Sequence, residues 1–219
     1  MVKSPETRKE ELLAAANELF HKNGVDATSV SDIVHKANVA QGTFYNYFKS
    51  KDEIFAEVLK QASKNIIEEM QKLAKREDIN PIEKLNLLFQ RDFEMNRMDD
   101  PLFNILHEDR YAAAHQKYIV SRINSLKPIY TEVIKQGTKE GYFNTVYPEE
   151  AALFMLTSVK FLFDPAFFTY GLEGMLNMSK AAEDFCERIL GARYNSFAQN
   201  SMEQHILDYF GGDKNESGF

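Results

Sequence analysis

The run Gln41-Gly42-Thr43-Phe44-Tyr45-Asn46-Tyr47-Phe48 gathers the groups that a reader of a large polar surface needs. Gln41, Thr43, Tyr45, Asn46 and Tyr47 supply donors, acceptors and apolar faces, the combination that base edges in a DNA major groove present and demand. Phe44 and Phe48 stand four apart, so at helical spacing both turn to one side and anchor the segment to a core. Gly42 is unfavourable in a helix by about 1 kcal/mol relative to Ala, but it lets a backbone approach something bulky. Lys51 begins another helical pattern, where the helix dipole disfavours a cation. A phosphate there would be drawn by free backbone amides and by the lysine together; the alternative is a lysine that is merely solvated.

The elements that position these groups read as helices, with little strand-like alternation and no internal repeat. Ser4 caps a first helix with Pro5 at its first position, and Gly24 stops it. Ser29 and Asp32 resemble a capping box with a shortened acid, opening a short helix from Val30 to about Ala37. Asn38, Val39 and Ala40 turn into a second short helix, from Gln41 to about Phe48. Two short helices around a three-residue turn have the geometry of a helix-turn-helix. Ser50 and Glu53 form a full capping box for a fourth helix, about 51–74. Further helices are expected from Pro81 to about Arg97, from Pro101, over about Asp109 to Glu140 with a bend at Pro128, from Pro148 to a break at Pro165, from about Ser179 to Ala192, and from Ser201 to Phe210. Residues 211–219 read as a disordered tail.

The order Thr28-Ser29-Val30-Ser31-Asp32-Ile33-Val34, then Ala37-Asn38-Val39-Ala40-Gln41-Gly42-Thr43-Phe44-Tyr45-Asn46-Tyr47-Phe48-Lys49-Ser50-Lys51-Asp52-Glu53-Ile54-Phe55, resembles the signature of the TetR family of bacterial helix-turn-helix transcriptional regulators. The likeness covers about residues 8 to 60. It implies that Ser29 caps the first motif helix and touches phosphate, and that Gln41, Gly42 and Thr43 approach base edges and backbone. It places Tyr45 where members touch a base or phosphate, and Tyr47 and Lys51 at phosphate-gripping positions; Asn46 is expected to face DNA on the strength of its hydrogen-bonding side chain. Phe44, Phe48, Ile33 and Val34 match the motif core. Two residues depart from the pattern. Asn38 stands where glycine is common, and Asn tolerates positive φ. Ala40 stands where serine often caps the recognition helix, and alanine cannot cap.

Bulk properties fit this reading. The net charge of −7 is unevenly distributed: through Lys51, seven basic residues face six acidic ones, leaving the head at +1 and the remainder at −8. The single cysteine, Cys186, excludes an intrachain disulfide and fits a reducing cytoplasm. No apolar run approaches the roughly 18 residues of a membrane span, and Met1 to Asn17 lacks the apolar stretch of a signal peptide. Cytoplasmic localisation is expected. His107, Glu108, Asp109 and His115 match no common metal-ligand spacing, no phosphate loop or nucleophile motif is present, and Cys186 reads as a core thiol. No cofactor, metal or catalytic residue is expected.

The body is rich in aromatics, and the resemblance implies an effector pocket among its middle helices; Phe93, Phe103, Tyr111, Tyr118 and Met155 are its expected lining. An apolar excess near the end of the body (Leu153, Leu156, Phe161, Phe185, Ile189, Leu190) points to a homodimer interface. The expected fold is all-α: a three-helix DNA-binding head over 1–52, and a helical effector-binding and dimerisation domain over 53–210. The expected function is a repressor that binds a near-palindromic double-stranded operator as a homodimer. A small, mostly apolar effector releases it by shifting the separation of the two recognition helices. The rival is a helical ligand-binding or scaffold protein without DNA-binding activity.

Overall fold

The structure is a computed structural model of the 219-residue chain and describes residues 4–95, 100–197 and 203–212. Among these residues the regular elements are all helical: α1 (Pro5–Asn23), α2 (Val30–Lys36), α3 (Gln41–Tyr45), α4 (Lys51–Ala62), α5 (Lys64–Ala74), α6 (Pro81–Met95), α7 (Pro101–Ile105), a 3-10 turn (Asp109–Tyr111), α8 (Ala112–Lys139), α9 (Pro148–Leu162), α10 (Leu172–Leu190) and α11 (Glu203–Gly212).

Local chemistry accounts for most boundaries. The Ser4 hydroxyl accepts from the Thr7 amide ahead of Pro5, and Gly24 closes α1 at φ 83°. Asn80 Oδ1 accepts from both the Ile82 and Glu83 amides at 3.0 Å, opening α6. Asp100 caps α7 in the same way, accepting from the Leu102 amide at 2.9 Å. Pro148 takes the first position of α9, which ends before Pro165.

Three expectations change. The helix expected over 51–74 is interrupted at Ser63. Its buried hydroxyl donates to the Leu59 carbonyl at 2.9 Å and pairs with the Tyr118 hydroxyl, so the side chain competes with the backbone ladder. The penultimate long helix begins at Leu172 instead of Ser179; Gly174 and Asn177 mask its first two turns in the sequence, but Leu172, Met175, Leu176 and Ser179 keep helical spacing. Gly211 and Gly212 belong to α11, so only 213–219 of the expected tail lie outside the described residues.

The chain divides into two compact units: Met1–Lys64 with Met98–Arg122, and Asn65–Arg97 with Ile123–Phe219. In the first unit α1 packs on α2, α4 and α7, and α2 packs on α3. Its core runs from Leu12, Phe20, Ile33 and Phe44 to Phe55, Phe103 and Tyr118. In the second unit α10 packs on α9 and α11. There Lys84 is buried, and its ammonium donates to the Ala74 carbonyl at 2.9 Å and to Gln136 Oε1 at 2.7 Å, tying α5, α6 and α8 together.

Candidate functional site

The short helix α3 has two unlike sides. Phe44 and Phe48 turn inward with ring centroids 5.6 Å apart, and both are buried. Gln41, Gly42, Tyr45 and Asn46 are exposed, Tyr45 at 55%, while Thr43 and Tyr47 are half-buried. The Tyr45 ring rests edge-on against Phe44 at 5.3 Å, which holds the exposed phenol in place. A Cβ added at Gly42 would meet nothing within 4 Å. No neighbour in the chain therefore requires glycine at this point, although it weakens the helix.

The supports of α3 follow from sequence. The Ser29 hydroxyl accepts from the Asp32 amide at 3.1 Å, and the Asp32 carboxylate accepts from the Ser29 amide and hydroxyl at 2.8 and 2.6 Å. These bonds hold the Asp32 carboxyl below its ordinary range. Asn38 adopts φ 52° in the turn, the left-handed conformation expected of it. Ala40 makes no side-chain cap. At α4 the Ser50 hydroxyl caps the Glu53 amide, but the Glu53 carboxylate reaches one residue further back than a full capping box requires, to the Lys49 amide at 2.6 Å.

The cations of the head are less free than the sequence implies. Lys51 donates to the Val25 carbonyl at 2.7 Å and, less well, to that of Asp26 at 3.4 Å, so it ties the start of α4 to the loop after α1. Lys36 pairs with Glu18 at 2.6 Å, and Lys9 with Glu57 at 3.3 Å. Lys49 was not singled out in the sequence. It is exposed, lies between α3 and α4, and has no ion-pair partner among the described residues. Its place immediately after the recognition segment was the available signal.

The expected effector residues do not come together. Phe103, Tyr111 and Tyr118 belong to the core of the first unit. The Tyr118 hydroxyl is used there by Ser63 and by Arg122, at 2.9 Å. Burial, and secondly Asp26, push the Tyr111 phenol up to about 12. Met155 is fully buried in the second unit. Phe93 does line a cavity, formed by α6, α9, α10 and α11, with a water-accessible volume of about 60 Å³. Its wall is mostly apolar (Phe89, Phe93, Val159, Phe163, Ala182, Cys186, Phe197, Ile206), interrupted by Asn86, Asp92, Lys160, Ser179 and Glu183. Lys160 Nζ meets Asp92 Oδ2 at 2.7 Å, with side chains 6% and 3% exposed. This buried ion pair was missed; a lysine as the single charged residue in the run 151–162 was its trace in sequence. Cys186 is a core thiol: burial, with Glu183 and Glu187 nearby, pushes it up to about 12.

Residues 12–58 match the family model described as bacterial regulatory proteins, tetR family, and residues 94–185 match the tetracyclin repressor-like C-terminal domain. The chain is 31% identical over 145 residues to the HTH-type transcriptional repressor KstR2 of Mycobacterium tuberculosis, covering 63% of this chain and 70% of that one. It is 33% identical over 138 residues to the fatty acid metabolism regulator protein of Bacillus subtilis, covering 60% and 71%. The chain belongs to the TetR family. Among solved structures, RolR in complex with resorcinol superposes at TM-score 0.63 with 19% identity, over 92% of this chain and 93% of that one. The R. erythropolis repressor QsdR superposes at 0.64 with 15% identity, over 87% and 97%. At these identities the two structures establish the shared fold.

For this TetR-family regulator the expected dimer set divides. Leu156 and Leu190 are buried inside the subunit and offer no surface to a partner, which withdraws them from the set. Leu153 and Phe161 on α9 and Phe185 on α10 are exposed, Ile189 is half-buried, and Phe154, which the sequence reading left out of the set, is 61% exposed. Of the polar group first weighed as metal ligands, Glu108 pairs with Arg110 at 2.6 Å and the His107 and His115 rings meet edge to face at 5.1 Å. No helix among the described residues is long and apolar enough to cross a membrane.

Proposed function

We propose that this TetR-family transcriptional regulator binds a near-palindromic operator as a homodimer, represses from it, and is released when a compact, mostly apolar effector enters the cavity of the second unit. The observation that carries the DNA reading is the outer side of α3. Gln41, Tyr45 and Asn46 surround a glycine that no intrachain contact explains, and a backbone-close approach by a groove edge supplies the missing reason. Ser29, Thr43, Tyr47, Lys51 and the exposed Lys49 flank it as phosphate and base contacts. The α3 heads of two subunits would read half-sites about 34–36 Å apart.

The effector reading is supported by the cavity wall, apolar with a few polar groups, as ligand sites usually are. At about 60 Å³ the space is smaller than the ~150 Å³ that holds a benzene-sized guest. A ligand therefore favours a widened state of the surrounding helices, and that differential affinity is what a ligand needs to shift a two-state equilibrium.

Gel-shift titration on the DNA upstream of the chain's own reading frame, with site selection, tests the DNA reading. Gln41→Ala or Thr43→Ala is expected to relax preference at particular base pairs by about 1–3 kcal/mol. Unchanged selected-site patterns in both variants, or no shift with any duplex at 50 mM salt, would instead favour a helical ligand-binding protein without DNA affinity.

Lys51→Ala is expected to weaken binding to all sequences alike and to flatten the salt slope by roughly one unit. The Lys51 ammonium has three donors, so one stays available beyond the two carbonyls it touches. A weakened complex with an unchanged slope would mean that Lys51 only holds the loop at Val25.

A further inference from the structure

The cavity of the second unit is lined by two side chains whose hydrogen-bonding capacity the described residues do not fully use. Ser179 is 5% exposed and lines the cavity, and its hydroxyl has no partner among the described residues. Asn86 is 6% exposed and lines the same cavity. Its amide nitrogen makes one long bond, 3.5 Å, to the Phe197 carbonyl, and its amide oxygen accepts from no described residue. Both groups lie on one mostly apolar wall with bonding capacity to spare, which a guest placed beside them can use.

The charges of the wall argue against an ionic guest. Lys160 and Asp92 already close on each other at 2.7 Å, both deep inside. Glu183, the third charge on this wall, is not free either, so a charged ligand would compete with partners already in place, and a neutral ligand does not. The rings of Phe89, Phe93, Phe163 and Phe197 supply faces and edges suited to another aromatic ring. The space is smaller than one benzene-sized guest needs, so a single ring asks for the least widening.

From this we infer that the cavity binds a neutral, single-ring aromatic compound carrying hydroxyl, with phenol the simplest member, and that Asn86 and Ser179 select for the hydroxyl. The Asn86 amide oxygen accepts from it and the Ser179 hydroxyl donates to it. The inference rests on the proposed effector role of this cavity, but binding and operator release are separate measurements.

Titration calorimetry of the full chain at pH 7 with phenol, toluene, benzoate and benzylamine tests it. Phenol is expected to bind at least tenfold more tightly than the other three. Ser179→Ala and Asn86→Leu are each expected to weaken phenol about tenfold and to leave toluene unchanged, and retained toluene binding also reports that each variant is folded. Benzoate or benzylammonium binding more tightly than phenol would overturn the neutral class while keeping the cavity as a ligand site. Phenol affinity unchanged in both variants would overturn the roles of Asn86 and Ser179. No binding of any probe would overturn the inference, leaving those side chains to water. Phenol that binds as expected but leaves operator affinity unchanged would refute the effector role of the cavity and not its ligand class.

Discussion

A chain carrying Phe185→Glu and Ile189→Glu is expected to stay folded, sediment as a monomer and lose operator binding where the parent saturates it. Phe185 and Ile189 are one helical turn apart on α10, one exposed and one half-buried, so carboxylates there reach water and leave the subunit core intact. On the adjoining α9, Leu153, Phe154 and Phe161 are exposed at spacings of seven and eight, which puts them on one side of that helix. An apolar surface of this kind marks an interaction site, and a twofold contact uses the same patch on both partners. Two carboxylates per subunit then become four unpaired charges at the centre of the interface, each costing several kcal/mol to desolvate. One reading head makes too few contacts to hold a half-site alone, so loss of the dimer removes DNA binding without any change at α3. Sedimentation velocity and gel shift on the same samples check this. Dimers that persist in the double variant would place the interface elsewhere, and a parent that stays monomeric at all concentrations would remove it.

What the sequence made legible was local. Ser4, Ser29, Asn80 and Asp100 carry hydroxyl, amide or carboxylate caps whose bonds span two or three residues, so each could be read without knowing what lay across the core. The turn at Asn38 and the inward pair Phe44 and Phe48 were legible for the same reason. Residues whose role depends on partners distant in the chain were not. Phe103, Tyr111 and Tyr118 look like pocket aromatics in sequence, yet they pack in the first unit against residues fifty or more positions away, such as Phe55 and Ser63. Leu156 and Leu190 have the same side chain as the exposed Leu153, and only the register of α9 and α10 against their neighbours decides which faces inward. Lys51 was assigned outward because its helix-start position is unfavourable; the Val25 carbonyl that offsets that position lies 26 residues earlier.

The Asp92–Lys160 pair, invisible to local reading, carries the largest stability effect expected. Lys160→Met is expected to destabilise the chain by about 3–5 kcal/mol, because it leaves a buried carboxylate without this cation. Methionine keeps the length of the side chain and fits an apolar wall, so the loss is electrostatic and not a cavity. Asp92→Leu with Lys160→Met is then expected to recover at least half of the lost stability, since replacing both charges by apolar groups of similar volume is often near neutral. Urea unfolding of the parent, both single variants and the double variant closes the cycle. A single Lys160→Met within 1 kcal/mol of the parent, or a double variant no more stable than that single one, would show that the two charges are not held by each other. If the cycle closes as expected, the paired charges also explain why a neutral guest suits the cavity beside them, since the wall then has no net charge at this point to offer one.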